Sequence, residues 1–227
     1  MRNRQICNFK QTKDLWLGCL KNLKLKIKYN ILWTGNPVKC LGIYVGHNTA
    51  KCYRANWVDK IDNIERLLMT WSKRKLSLFG KIQVIKTFAL SKVIFPATML
   101  TVNEMVVKKI STIFHNFLWG KRDRIKRSII SNSVETGGIG MPDVQQFFCS
   151  LKAGWVVRMA NLTGKWKAGF ELFAASLGIT YEYLLKMNFS HCNSATFLRK
   201  CNSFYVDVIV AFNRCKTIIP LAKMNVT

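Results

Sequence analysis

Five apolar side chains, Trp57, Ile61, Ile64, Leu68 and Trp71, recur at alternating steps of four and three residues. A helix collects residues so spaced on one face, and that face must be buried against something. From about residue 54 onward the chain is therefore expected to be built of packed amphipathic helices. A second helix is expected over about 77–95, stopping near Pro96, which lacks a backbone donor. A third is expected over about 103–119, with Val106, Ile110, Ile113 and Phe117 on its inner face. The basic stretch "GKRDRIKRS" (120–128) follows as a connector, then "ETGGIGMPD" (135–143) as a tight glycine-rich turn. Asp143 and Gln146 have the spacing of a capping box for a helix over about 144–161. "NLTGKWKAG" (161–169) reads as a linker, and the rest is weakly patterned, with two or three short helices at most.

Before residue 54 the pattern differs. "LWLG" (15–18), "LKIKYNILW" (25–33) and "VKCLGIYVG" (38–46) are rich in β-formers. "TGNP" (34–37) is turn chemistry, so the last two read as a hairpin, with Lys24, Lys26 and Lys28 on one face at period two. Three such pieces need something to pack on. The expected fold is mainly α with a small β-hairpin region. Its sections are 1–48 (strands), 49–130 (helical bundle), 131–162 (glycine turn and linker helix) and 163–227 (loosely patterned helical end).

Charge narrows the function. The 227 residues carry 36 Lys and Arg against 11 Asp and Glu, a net charge of +25. The excess is +8 over residues 1–50, +12 over 51–130 and +5 over 131–227, so it is not a basic tail on a neutral body. Such a body repels itself unless a polyanion is near, and nucleic acid is the commonest one; an acidic membrane surface is the alternative. No run reaches the length of a membrane span, and the basic N-terminus has no apolar core of a secretion signal. Eight cysteines without a C-x-x-C pair read as reduced thiols of an intracellular protein, nuclear or cytoplasmic.

Catalytic constellations are not evident. No two of the eleven acids fall where adjacent strands or a tight turn would hold a metal pair. Asp59, Asp62 and Glu65 read as solvated partners of Lys60 and Arg66. His47, His115 and His191 lack catalytic spacing; His191 and Cys192, with Cys201 and Cys215, fit no common zinc template. "GGIG" lacks the lysine of a phosphate loop. The residues point to binding rather than catalysis, with no cofactor in this chain. Lys73, Arg74, Lys75 and Lys81 stand at the junction of the first two helices, and Lys121, Arg122, Arg124, Lys126 and Arg127 follow the third. Antiparallel packing would bring both clusters to one side, where they could track a phosphate backbone. Solvated helix-end lysines are the plainer reading. Trp71, Phe79, Phe117 and Trp119 read as core before stacking platforms.

In order, the chain carries "VKCLGIYVG", "NWVDKIDNIERLLMTWSKRKLSLFGKIQVIKTFALSKVIFPATML", "IFHNFLWGKRDRIKRSII" and "GGIGMPDVQQFFCSLKAGW". Over about residues 38–156 these resemble the region after the polymerase palm in LINE-type (non-LTR) retrotransposon reverse transcriptases. "CNFKQTKDLWLG" resembles the segment after that family's catalytic turn, with Gln11 where the family usually has lysine. The resemblance implies residual palm-edge strands over 1–48, with Lys39 in a hairpin that grips the primer end. It implies a thumb over 49–130 that clamps an RNA–DNA hybrid or duplex independently of base sequence. Fingers and most of the palm would precede residue 1, including the paired aspartates that hold Mg2+ in the parent polymerase. No Asp-Asp dipeptide occurs here, so the chain reads as a fragment that is not an enzyme on its own. Its further partner would be the missing polymerase half. Two other readings stand beside this one: a helical protein-interaction module docking through an exposed palm-edge strand, and a non-functional relic.

Overall fold

The computed structural model describes residues 13–14, 32–33, 36–120, 124–161, 165–176, 178, 180, 183 and 203–218. The fold is mainly α with one small antiparallel hairpin, as the sequence leads one to expect. The chain divides into two compact units, residues 1–66 and 67–227. The division falls inside a continuous helix.

In the first unit, β1 (Lys13–Asp14) and β2 (Leu32–Trp33) form a two-residue parallel pair. β3 (Val38–Cys40) and β4 (Ile43–Val45) form the hairpin. The expected hairpin around "TGNP" is corrected: Cys40 pairs with Ile43, and the turn is Leu41–Gly42. Both turn residues have positive φ, 48° and 89°, as a two-residue loop matching strand twist requires. Leu41 has no glycine's freedom there; its side chain, 85% exposed, avoids neighbours but not the left-handed backbone cost of roughly 1–2 kcal/mol. Of the other expected strands, 15–18 and most of 25–33, with Lys24, Lys26 and Lys28, lie outside the described residues.

After the hairpin, Asn48 caps α1 (Thr49–Tyr53) by accepting from the Lys51 amide at 2.9 Å. A π-helical turn, Arg54–Val58, leads into α2 (Asp59–Ser72). That turn carries Asn56, only 3% exposed. The Tyr44 amide donates to Asn56 Oδ1 and Asn56 Nδ2 donates to the Tyr44 carbonyl, each at 2.8 Å. One side chain thus acts as a partner strand along β4, where an open palm edge was expected. Trp57, Ile61, Ile64 and Leu68 of the opening stripe are all buried, and Trp71 is half-buried.

In the second unit, α3 (Leu78–Val84), a π-helical turn (Ile85–Ala89) and α4 (Ser91–Met99) follow one another without a break in helical backbone. The expected stop at Pro96 is corrected, because Pro96 lies inside α4. Pro96, Ala97 and Thr98 are buried, and this packing outweighs the hydrogen bond that proline removes. α5 (Glu104–Trp119) matches its expectation: Asn103 caps it through the Met105 amide at 3.0 Å, and Val106, Ile110, Ile113 and Phe117 are buried.

A short helix, α6 (Arg127–Ile130), then opens a loop that folds back on itself, with the Gly140 amide donating to the Asn132 carbonyl at 2.8 Å. Gly138 lies so close to Asn132 that a β-carbon would run into its carbonyl, which is the physical need for glycine here. Asp143 caps α7 (Val144–Asn161), accepting from the Gln146 amide at 2.9 Å. α7 is buried on several sides; Trp155 Nε1 donates to the Thr98 carbonyl of α4 at 2.9 Å. α8 (Lys165–Ser176) starts inside the stretch read as a linker. α8 and α9 (Ser203–Ile218) share a core with α7, formed by Trp155, Met159, Phe170, Phe173, Ile209 and Phe212 among others. The described helices of the C-terminal section, α8 and α9, are thus packed against α7. Their aromatics give this away in retrospect, since Phe170, Phe173 and Tyr205 make a close ring cluster.

Candidate nucleic-acid interface

The basic loop 73–77 separates α2 from α3, and Lys73, Arg74 and Lys75 in it are exposed. It is a tight connection: the Arg74 amide donates to the Trp71 carbonyl at 3.1 Å, and the Leu76 amide to the Arg74 carbonyl at 2.9 Å. Ser77 then caps α3 through the Gly80 amide at 3.2 Å. Three adjacent cations cannot bury themselves, so the loop presents them to solvent.

Arg74 lies against a ring. Its guanidinium carbon lies 4.3 Å from the centre of the Trp71 ring. Trp71 in turn stacks on Phe88, with ring centres 5.3 Å apart and planes inclined by 29°. A planar cation laid on a ring keeps its edge N–H donors available for a planar or tetrahedral anion. Trp71 was read from its spacing as core. Here it is the middle layer of a three-part surface stack whose outer ring, Phe88, is 46% exposed. Phe79, also read as core, is exposed, whereas Phe117 is buried as expected.

Lys81, in the first turns of α3, connects that helix to α5. Its Nζ donates to the Leu118 carbonyl at 3.0 Å and sits 5.7 Å from the Phe117 ring centre. The last carbonyls of a helix have no partner of their own and carry the negative end of its dipole, so an ammonium there is doubly favoured. Lys81 was expected to contact phosphate. It serves first as a clasp, and two of its three donors remain.

The chain leaves α5 beside this clasp, at Gly120, whose φ of 84° ends the helix. Arg124, Lys126 and Arg127 follow and are exposed; Lys121 and Arg122 lie outside the described residues. Lys81, the last residue of one expected cluster, thus bonds to the end of the helix that precedes the other in sequence. Lys108 and Lys109 stand apart, further back along α5, with Lys108 paired to Glu104 at 3.2 Å. Lys39 belongs to the first unit, where it is exposed on β3 opposite Tyr44, its Nζ 5.8 Å from that ring.

Of the thiol and imidazole set considered for zinc, His191, Cys192 and Cys201 lie outside the described residues. Among the described residues, no helix is long and apolar enough to cross a membrane. No protein-family model matches the sequence.

Proposed function

We propose that the helical region from α2 to α6 binds nucleic acid along its phosphate backbone, in the manner of the polymerase thumb that its motifs resemble. The observation that carries this reading is the Lys81–Leu118 clasp, which ties α3, just after the Lys73–Arg74–Lys75 loop, to the end of α5, with Arg124, Lys126 and Arg127 following in sequence. Charge supports it: residues 51–130 hold an excess of +12. In this reading Arg74 is the anchor, pre-set on Trp71 so that little freedom is lost on contact. Lys73, Lys75, Arg124, Lys126 and Arg127 add charge from flexible stems, and Lys121 and Arg122 belong with them by sequence. Lys39 is assigned to the primer-end hairpin by resemblance alone. The substrate is an RNA–DNA hybrid or duplex, read by shape and charge rather than base edges. No phosphoryl-transfer step is assigned to this chain, and Mg2+ chemistry belongs to the parent polymerase the motifs imply.

The test is affinity for a short RNA–DNA hybrid, measured by fluorescence anisotropy on the full chain. Arg74→Glu with Lys75→Glu should abolish most of it, while disruption of the 38–45 strand should leave it. Loss in the second variant and not the first would favour the protein-docking alternative.

A further inference from the structure

The π-helical turn 85–89 and α4 have two unlike sides. Ala89, Leu90, Val93, Pro96 and Ala97 are buried in the core. Phe88, Ser91, Lys92 and Phe95 are exposed, and their three- and four-residue steps set them in a line along the opposite side. Core packing explains the first set. It does not explain two phenyl rings, 46% and 40% exposed, in the second.

Rings and cation alternate along this line. Phe88 stands at one end against Trp71, which also carries Arg74. Lys92 follows one helical turn on, and Phe95 nearly another, so about 10 Å of helix separates the two rings. From residue 67 to residue 103 the chain has six cations, Lys73, Arg74, Lys75, Lys81, Lys86 and Lys92, and no Asp or Glu. An occupant of this side is therefore anionic, and it must also offer flat faces to meet the rings. A duplex fails the second condition, because its bases cover one another's faces and show only their edges in the grooves. An unpaired strand meets both conditions, with a phosphate at every nucleotide and a free face on every base.

We propose that the Phe88–Lys92–Phe95 side of α4 holds a single-stranded extension of the nucleic acid whose duplex part lies on the basic loop. Resting on the nucleic-acid reading above, this narrows its substrate to a duplex with an unpaired tail. Phe88 and Phe95 stack on bases, and Lys92 meets a phosphate between them. The spacing fits, since about 10 Å is roughly three steps of a strand that rises 3.4 Å per nucleotide. Arg74 marks the junction, its guanidinium on the ring pair that ends in Phe88. Stacking accepts any base, so the tail is held without regard to its sequence.

The experiment compares three probes on the full chain by fluorescence anisotropy. They are a blunt RNA–DNA hybrid, the same hybrid with a short oligothymidine tail, and the same hybrid with an abasic tail that keeps the phosphates and lacks the bases. The thymidine tail should tighten binding at least about fivefold over the blunt hybrid, and the abasic tail should recover only a minor part of that gain. Phe95→Ala should erase most of the gain, and Phe95→Trp should keep it. Every variant is measured with the blunt hybrid too; should that binding also fail, the abasic and thymidine tails on the native chain decide alone. Equal binding of blunt and thymidine-tailed hybrids, or an abasic tail as good as the thymidine tail, overturns the proposal and leaves the nucleic-acid reading standing. No binding of any probe overturns both. Vesicles of phosphatidylcholine and phosphatidylserine test the membrane alternative: if Phe95→Ala abolishes vesicle binding and spares the gain from the tail, this side is a lipid contact and the proposal fails.

Discussion

The basic loop and the buried Lys152 of α7 use the same residue type in opposite ways. At 73–75 three cations crowd together in water, where each is screened and individually cheap to expose. At Lys152 one cation is buried on α7, where burial drives its ammonium down to about 8, the negative charge of Asp207 opposing the shift. Asp207 shows the mirror image: burial raises its carboxyl, while the Thr101 hydroxyl and Lys152 pull it back. A charge in water acts through numbers and reach. A charge in a low-dielectric wall acts through its immediate partner. The first suits a long polyanion of any sequence; the second fixes one contact inside the fold.

The comparison breaks most directly at the loop. Arg74→Glu, Lys75→Glu and Lys126→Glu together should weaken hybrid binding by more than about a hundredfold at low salt, because each reversal removes one phosphate contact and adds repulsion. Lys152→Met should leave that affinity within about twofold. If it does not, the two regions are not independent.

The next largest effect is in pH. Between the folded value of about 8 and the ordinary 10.5, an unfolded chain holds a proton at Lys152 that the folded chain has released. Stability must then rise with pH across that window, by at most about 3 kcal/mol. Below it both states are protonated and the burial cost is fully felt. The other charged and titratable groups lining the same open pocket are Asp207 and Arg214 from α9, Glu104 from α5 and Cys149 from α7 itself. Urea unfolding of the native chain and Lys152→Met, compared near pH 8 and near pH 10.5, should show the native chain gaining on the variant.

Much of the helical framework was legible before the structure, and the reason is local. α5 announces a period, Val106, Ile110, Ile113 and Phe117, and α7 a cap, Asp143 with Gln146. The hairpin was misplaced because Leu41–Gly42 lacks the Asn-Gly or Asp-Gly that normally marks a two-residue turn. The π-helical turns at 54–58 and 85–89 leave no separate mark, since one wide turn only shifts the phase of the stripe. Pro96 was taken as a stop because its burial is a tertiary fact. The loop's charge was plain to read, but the use of Lys81 as a clasp depends on where α5 ends in space. Lys152 looked like any helix lysine, and its partner Asp207 sits in a section with weak patterning.

Two smaller effects sharpen the account of the loop. Lys81→Met should lower stability by about 1–2 kcal/mol, from a lost charged hydrogen bond and an uncovered helix end. The readout is urea unfolding, with hybrid affinity falling alongside as the two clusters loosen. Arg74→Lys keeps the charge but gives up the stack on Trp71, so affinity should fall by only about three- to fivefold, the worth of an exposed cation–ring contact.

The central claim is that the exposed cations at 73–75 and 124–127 neutralise phosphates together, and salt tests it most directly. With four contacts, the logarithm of hybrid affinity should fall against the logarithm of salt with a slope of about −3 to −4, roughly a hundredfold between about 50 and 200 mM. A slope near zero over that range would contradict it.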